Sequence, residues 1–267
     1  MPDPEVRIRG LRVVYGDGRT GVDALGPIDL DVERGQFVSI VGPSGCGKST
    51  LARVLVGLAE PSAGQVWLAA NDRGSTTPSA IVFQDHAIFP WKTVLQNIAF
   101  GLTVSGVDRA EVDDRARSWV RRMGLSGFED AYPSALSGGM QQRVGVARAL
   151  AVEPDVLVMD EPFGSLDALL RDILIEELLG LHQELKCTVV FITHSLEEAL
   201  VLSDRVVVLS ARPGRILADR SVPFPRPRTL DVRDDAGFGP LRQELWQILR
   251  SQVDVGAGRS ADERAAR

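Results

Sequence analysis

Nine consecutive residues, Gly42-Pro43-Ser44-Gly45-Cys46-Gly47-Lys48-Ser49-Thr50, carry the first recognisable chemistry of this chain. They fit G-x-x-x-x-G-K-[ST], in which glycines let backbone N–H groups turn inward around phosphate oxygens at a helix N-terminus. Lys48 supplies the charge that neutralises the β and γ phosphates, and the Ser49 hydroxyl is suited to Mg2+. A glycine-rich turn with no ligand is the bland alternative, and it leaves Lys-Ser at this spacing unexplained. Asp160 and Glu161 form a second element directly after the apolar run Val156-Leu157-Val158-Met159. An acid at the C-terminal end of a strand stands where open α/β sheets place their ligands, so Asp160 can hold Mg2+ through water. Glu161 can orient and deprotonate an attacking water. Taken alone, Asp-Glu after a strand is a solvated loop, and the phosphate loop upstream is what makes it chemistry.

A third element, Leu136-Ser137-Gly138-Gly139-Met140-Gln141-Gln142-Arg143, repeats the logic of an anion site, with a hydroxyl and glycines at a helix start. The phosphate loop already cradles one nucleotide. The economical expectation is therefore that Ser137, Gly138 and Gly139 face the γ-phosphate bound by another copy of the chain. A plain Gly-Gly hinge before a helix stays open as the alternative.

These residues need a scaffold, and the apolar pattern supplies one. Val6 to Tyr15 alternates as a half-exposed antiparallel strand, and Ile28, Leu30 and Val32 alternate with acids. Phe37 to Val41 reads as a buried strand that runs into the phosphate loop, and Leu51 to Leu58 as the helix behind it. Gln65 to Leu68, Ala80 to Phe83, Val156 to Met159, Val189 to Ile192 and Val206 to Leu209 predict further strands. Val112, Ala116, Trp119, Val120 and Met123 recur at about one helical turn, which predicts a separate helical lobe over roughly 97–150. Asp167 to Leu185 reads as a long amphipathic helix, and Ser195-Leu196-Glu197-Glu198 has capping-box form. Residues 1–235 thus make one cassette. Beyond Pro223, Pro225-Arg226-Pro227-Arg228 and Leu241 to Leu249 suggest an appendage, with 236–267 as an amphipathic segment and a tail disordered from Gly256.

Composition narrows the function classes. At 44% hydrophobic and 25% charged residues, the 267-residue chain has the proportions of a globular protein with a packed core. Its net charge of −6 argues against a phosphate-backbone binder, so nucleic acid is not an expected partner. Cys46 and Cys187 show no metal-type spacing and read as structural; His86 and His182 read as surface residues. No run approaches the roughly 18 apolar residues of a membrane span, so membrane association is expected only through a partner.

Leu-Ser-Gly-Gly lying between a phosphate loop and a strand-end Asp-Glu resembles the ABC ATPase family, from about Val6 to Ile216. The resemblance implies an α/β P-loop NTPase cassette with a mixed central sheet, an antiparallel β edge and a helical subdomain. It implies ATP and Mg2+ as ligands, with Tyr15 stacked on adenine and Gln84 linking the Mg2+ site to a membrane partner. Asp167, in Ser165-Leu166-Asp167-Ala168, would lie at a dimer contact, and His194 would touch the γ-phosphate. Each has a plainer alternative: a strand-end aromatic for Tyr15, an exposed amide for Gln84, a helix-start histidine for His194. Met140 stands where the family more often has glutamine, which leaves the phosphate contacts of Ser137 and the glycines untouched.

Pro162-Phe163-Gly164-Ser165-Leu166-Asp167 and Phe89-Pro90-Trp91-Lys92-Thr93-Val94 resemble importer versions of these segments. Arg212-Pro213-Gly214-Arg215-Ile216 and the Pro-Arg-Pro-Arg stretch resemble the nitrate, sulfonate and taurine importers. That implies a self-paired ATPase on integral membrane permease subunits at the cytoplasmic face of the inner membrane, served indirectly by a solute-binding protein. An exporter, a lipid transporter or a non-transport ATPase of the same family is the rival expectation. The coiled-coil insertion or duplicated cassette usual in the non-transport class is not visible.

Overall fold

The structure, a computed structural model, describes residues 4–16, 21–69, 78–85 and 87–265, with side chains as far as residue 252. The first half runs β1 (Val6–Tyr15), β2 (Val22–Val32), β3 (Phe37–Val41), α1 (Lys48–Leu55), β4 (Ala63–Leu68), β5 (Ser79–Val82), α2 (Val94–Val104), α3 (Arg109–Arg122) and α4 (Gly138–Leu150). The second runs β6 (Val156–Asp160), α5 (Ala168–Leu185), β7 (Thr188–Thr193), α6 (Leu196–Leu202), β8 (Arg205–Leu209), β9 (Ile216–Ser221) and α7 (Phe238–Ala265).

The strands form two sheets. One is antiparallel, in the order β2-β1-β4; the other is mixed, in the order β5-β6-β7-β3-β8-β9, parallel except for β9. The mixed sheet is apolar on both faces because successive side chains point to opposite sides and each side has its own cover. Val38, Ile40, Val158, Val190 and Val207 pack toward β1, β2 and α1. Their neighbours Phe37, Val41, Met159, Phe191 and Val208 pack toward the helices. This double cover explains why Val156 to Met159 and Val206 to Leu209 read as unbroken apolar runs.

β1 is the middle strand of the antiparallel sheet. Its buried residues Val6 and Ile8 are out of phase with Leu11 and Val13, and a register irregularity between Ile8 and Leu11 absorbs the odd residue. Gly10 stands there at φ +57°, opposite Gly64, where an added Cβ would lie 2.3 Å from the Gly10 carbonyl oxygen.

Three expectations change. The helical lobe has no core of its own: Ile98, Leu102, Trp119 and Val120 join the same apolar cluster as the sheet. The chain beyond Pro223 is not an appendage. Arg226 donates to Asp204 and to the Leu202 carbonyl, and the buried Arg228 donates to the carbonyls of Phe224 and Ser203. Burial, reinforced by the neighbouring Arg226, brings the Arg228 guanidinium down to about 10. Phe224 stacks on Phe238, and Leu245 of α7 is fully buried, so apolar burial pins the first half of that helix to the main core. Helical backbone also continues past Gly256 to Ala265, where composition predicts disorder. The run Ser260-Ala261-Asp262-Glu263-Arg264-Ala265 contains good helix formers that sustain local i→i−4 bonds.

Candidate functional site

β3 delivers the chain into the phosphate loop and α1 leaves it. The turn requires glycine at Gly47, the N-cap of α1, which has φ +104° and where an added Cβ would lie 2.5 Å from the Ala24 carbonyl oxygen. Cys46 is buried within the loop, and burial pushes its thiol up, as suits packing rather than reactivity. Lys48 is buried and donates from Nζ to the carbonyl oxygens of Gly42 (2.9 Å) and Pro43 (3.2 Å). Its ammonium also lies 3.6 Å from Glu161 Oε1.

β6 ends at Asp160, which is buried and accepts a hydrogen bond from the Ser49 hydroxyl at 3.1 Å. Desolvation pushes its carboxyl up, with the Ser49 bond opposing; a cation in front of it would relieve that cost. Ser49 and Asp160 are hard oxygen donors, and Gln84 lines the same cavity. Among the described residues no cluster of three or more His, Cys, Asp or Glu could hold a metal by itself. The set therefore fits Mg2+, which takes few protein ligands and completes its shell with phosphate and water oxygens.

Glu161 follows in left-handed backbone, φ +47°, a conformation that costs a non-glycine residue about 1–2 kcal/mol. Its N–H donates to the Ile192 carbonyl and its carbonyl accepts from the Gly164 N–H, which hold it there. The twist aims the carboxylate between two partners, Lys48 on one side and His194 Nδ1 at 3.0 Å on the other. His194 itself is exposed just before α6. Ser195 caps that helix through the Glu198 N–H, yet the capping box is only half made. The Glu198 carboxylate is taken by the Thr193 hydroxyl, whose oxygen also accepts from the Ser195 N–H.

Tyr15, Lys48, Ser49, Thr50, Gln84 and Glu161 line one cavity of about 490 Å³, together with Ser44, Gly45 and Gly47. Tyr15 closes its rim, half exposed, with its hydroxyl donating to Thr50 at 3.3 Å. Gly42, Pro43, Ser44 and His194 border a second cleft of about 1080 Å³, walled on the far side by Trp246 and Arg250 of α7. Ser137, Gly138 and Gly139 line neither. Ser137 caps α4 by accepting from the Met140 N–H, and with Gly138 it is exposed. Gly139 is buried against α5, where a Cβ would come within 2.7 Å of Leu170. His86 lies outside the described residues, and His182 is buried against Phe37 rather than on the surface. Sequence reasoning missed Arg212 and the α7 residues as site walls. Arg212 sits in a motif that stood out only for its resemblance, and nothing local to α7 signals where it packs.

Residues 25–164 match the ABC transporter family. The chain is 44% identical to a taurine import ATP-binding protein of Rhizobium johnstonii, over 89% of this chain and 93% of that protein. An aliphatic sulfonates import ATP-binding protein of Bacillus cereus is 42% identical, over 91% and 94%. A nitrate import ATP-binding protein of Synechocystis is 40% identical, over 92% and 96%. Among solved structures, a dimeric ATP-binding cassette in a post-hydrolysis state bound to ADP and Pi superposes with TM-score 0.70 at 29% identity, over 82% of this chain and 99% of that one. With just over half its length matched to the family and such relatives spanning nearly all of it, the chain belongs to the ATP-binding subunits of ABC transporters.

Proposed function

We propose that this subunit drives import of a small solute of the sulfonate, nitrate or taurine kind, with the residues of the 490 Å³ cavity as its hydrolytic machinery. One observation carries the site assignment: the Glu161 carboxylate is held between Lys48 at 3.6 Å and His194 at 3.0 Å, beside the Ser49–Asp160 pair. In this reading Tyr15 and Thr50 flank the base, the loop from Gly42 to Lys48 holds the phosphates, and Glu161 accepts the proton of the attacking water. His194 keeps the Glu161 carboxylate pointed at that water. Mg2+, held by Ser49, Asp160 and Gln84, would neutralise phosphate charge.

The Ser137 end of α4 then serves a second copy. Its exposed N-terminus lines neither of the two cavities described, and a helix start with unsatisfied N–H groups suits a phosphate. Two copies would enclose two nucleotides, part after hydrolysis, and pass the motion to permease subunits. An exposed aromatic group supports that docking: Phe89 packs on Trp91 and Phe100, with Trp91 70% exposed, a few residues beyond Gln84. Among the described residues no helix is long and apolar enough to cross a membrane. In this reading the subunit docks peripherally, on the cytoplasmic face of the permease. A solute-binding protein on the other side would supply the substrate.

Uptake of labelled taurine, an alkanesulfonate and nitrate in cells with and without the chain tests the import reading. Loss of energy-dependent uptake of one of them is expected. Unchanged uptake of all three, with accumulation of a solute that is normally expelled, would make it an exporter.

A further inference from the structure

The segment Ser210 to Arg215, between β8 and β9, carries a motif to which the hydrolytic site assigns no task. Its conformation is fixed from three directions. Ser210 Oγ donates to the Pro213 carbonyl and accepts from the Arg215 N–H. The Gly214 N–H donates to the Ala24 carbonyl, its own carbonyl accepts from the Gly26 N–H, and Arg215 donates to the Gly26 carbonyl. Gly214 also lies so close to the phosphate loop that a Cβ there would be 2.2 Å from the Cys46 carbonyl oxygen. A hairpin bound this firmly to both β2 and the phosphate loop is a mount, and what it mounts is Arg212.

Arg212 Nε donates to the Gly45 carbonyl at 3.2 Å, and the side chain lines the same cavity as Tyr15, Lys48 and Glu161. Among the described residues two cations line that cavity. Lys48 is buried and already faces Glu161, whereas Arg212 is exposed and makes no ion pair with any described residue. Its hairpin is tied to the strand that contributes Val22 and Ala24 to the lining, and its own bond is to Gly45 of the phosphate loop. A planar, permanently charged fork held by one bond, with its remaining donors uncommitted to an acid, is suited to phosphate oxygens.

We propose that Arg212 is a nucleotide-binding residue whose guanidinium contacts the diphosphate part of a nucleotide seated in this cavity. This rests on the site assignment above. Because that part is common to ATP and ADP, Arg212 supplies affinity for both, in contrast to groups that act at the γ-phosphate.

Arg212→Ala, Arg212→Lys and Arg212→Gln in the full chain test it by titration with ATP, ADP and adenosine. Lys keeps the charge, while Gln keeps a donor for the Gly45 carbonyl without charge. Arg212→Ala and Arg212→Gln are expected to weaken ATP and ADP alike by about tenfold, the scale of a charged hydrogen bond, with Arg212→Lys close to the parent. Adenosine binding should not change. In hydrolysis, the rise in KM should exceed the fall in kcat. ATP and ADP affinities in Arg212→Ala within about twofold of the parent would overturn the proposal. So would rescue by Gln but not Lys, which makes Arg212 a brace for the loop. A parent chain that bound no ATP would remove the site assignment as well; a binding parent matched by Arg212→Ala removes this inference alone.

Discussion

Replacing Glu161 with glutamine isolates one role of one side chain. The amide keeps the shape, and hence the constraint on the left-handed backbone, and it can still bond to His194 Nδ1, now 3.0 Å from Oε2. It loses the capacity to accept a proton and the charge that faces Lys48 at 3.6 Å. Lys48 is not stranded by the change, because the Gly42 and Pro43 carbonyls continue to accept from it. Nucleotide affinity is therefore expected to hold or rise slightly, with less negative charge near the phosphates. The loss falls on the chemical step. Removal of a positioned general base slows turnover by about 10²–10⁴, or roughly 3–5 kcal/mol of barrier. Phosphate release from the purified transporter at saturating ATP measures the rate, and nucleotide titration of the same preparation measures affinity. Turnover within about threefold of the parent would take Glu161 out of the mechanism. A parallel loss of affinity and rate would mean that the carboxylate organises the loop rather than the water.

Two further outcomes follow from the same geometry. Cysteines replacing Ser44 and Ser137, in a background without Cys46 and Cys187 and with Glu161→Gln, should crosslink between chains with ATP and not with ADP; crosslinks formed equally without nucleotide would refute the two-copy site. Asp160→Asn should abolish hydrolysis yet stabilise the nucleotide-free chain at pH 7. Burial raises the folded-state value of this carboxyl above its ordinary 3.8, so the folded form binds the proton more tightly and stability falls as pH rises through that window. Asparagine carries no such cost, and a gain in Tm on the order of 2–4 °C at neutral pH should shrink toward pH 4. A gain that does not vary with pH would show that charge burial is not its cause.

What could be read from the sequence was what is local. The phosphate loop announces itself because strand, glycines, Lys48 and helix are contiguous, and Asp160 because an apolar strand ends on it. The Ser137 cap of α4 and the Asp167 cap of α5 are likewise decided within a few residues. The rest depends on partners distant in the chain. Arg212 reaches Gly45 across 167 positions, and the Pro-Arg-Pro-Arg stretch reads as part of an appendage until its arginines find Asp204 and the carbonyls of Leu202 and Ser203. The capping-box pattern at Ser195 is an exception, local yet genuine on the serine side only, because Thr193, just before the helix, takes the Glu198 carboxylate. His182 read as exposed because its helix is amphipathic, but it lies on the face that meets Phe37.

The close approach at Gly139 reaches beyond packing. α4 and α5 meet there without a Cβ between them, Leu166 lies 3.8 Å from the Cβ position of Gly138, and the Arg143–Glu177 ion pair clasps the same two helices farther along. The contacts at Gly139 and Arg143, about one helical turn apart on α4, tie the beginning of that helix to α5, and the capped starts at Ser137 and Asp167 lie beside this joint. In the two-copy site proposed above, a displacement of one helix start would carry the other with it, so the contacts made by Ser137 and by Asp167 would change together.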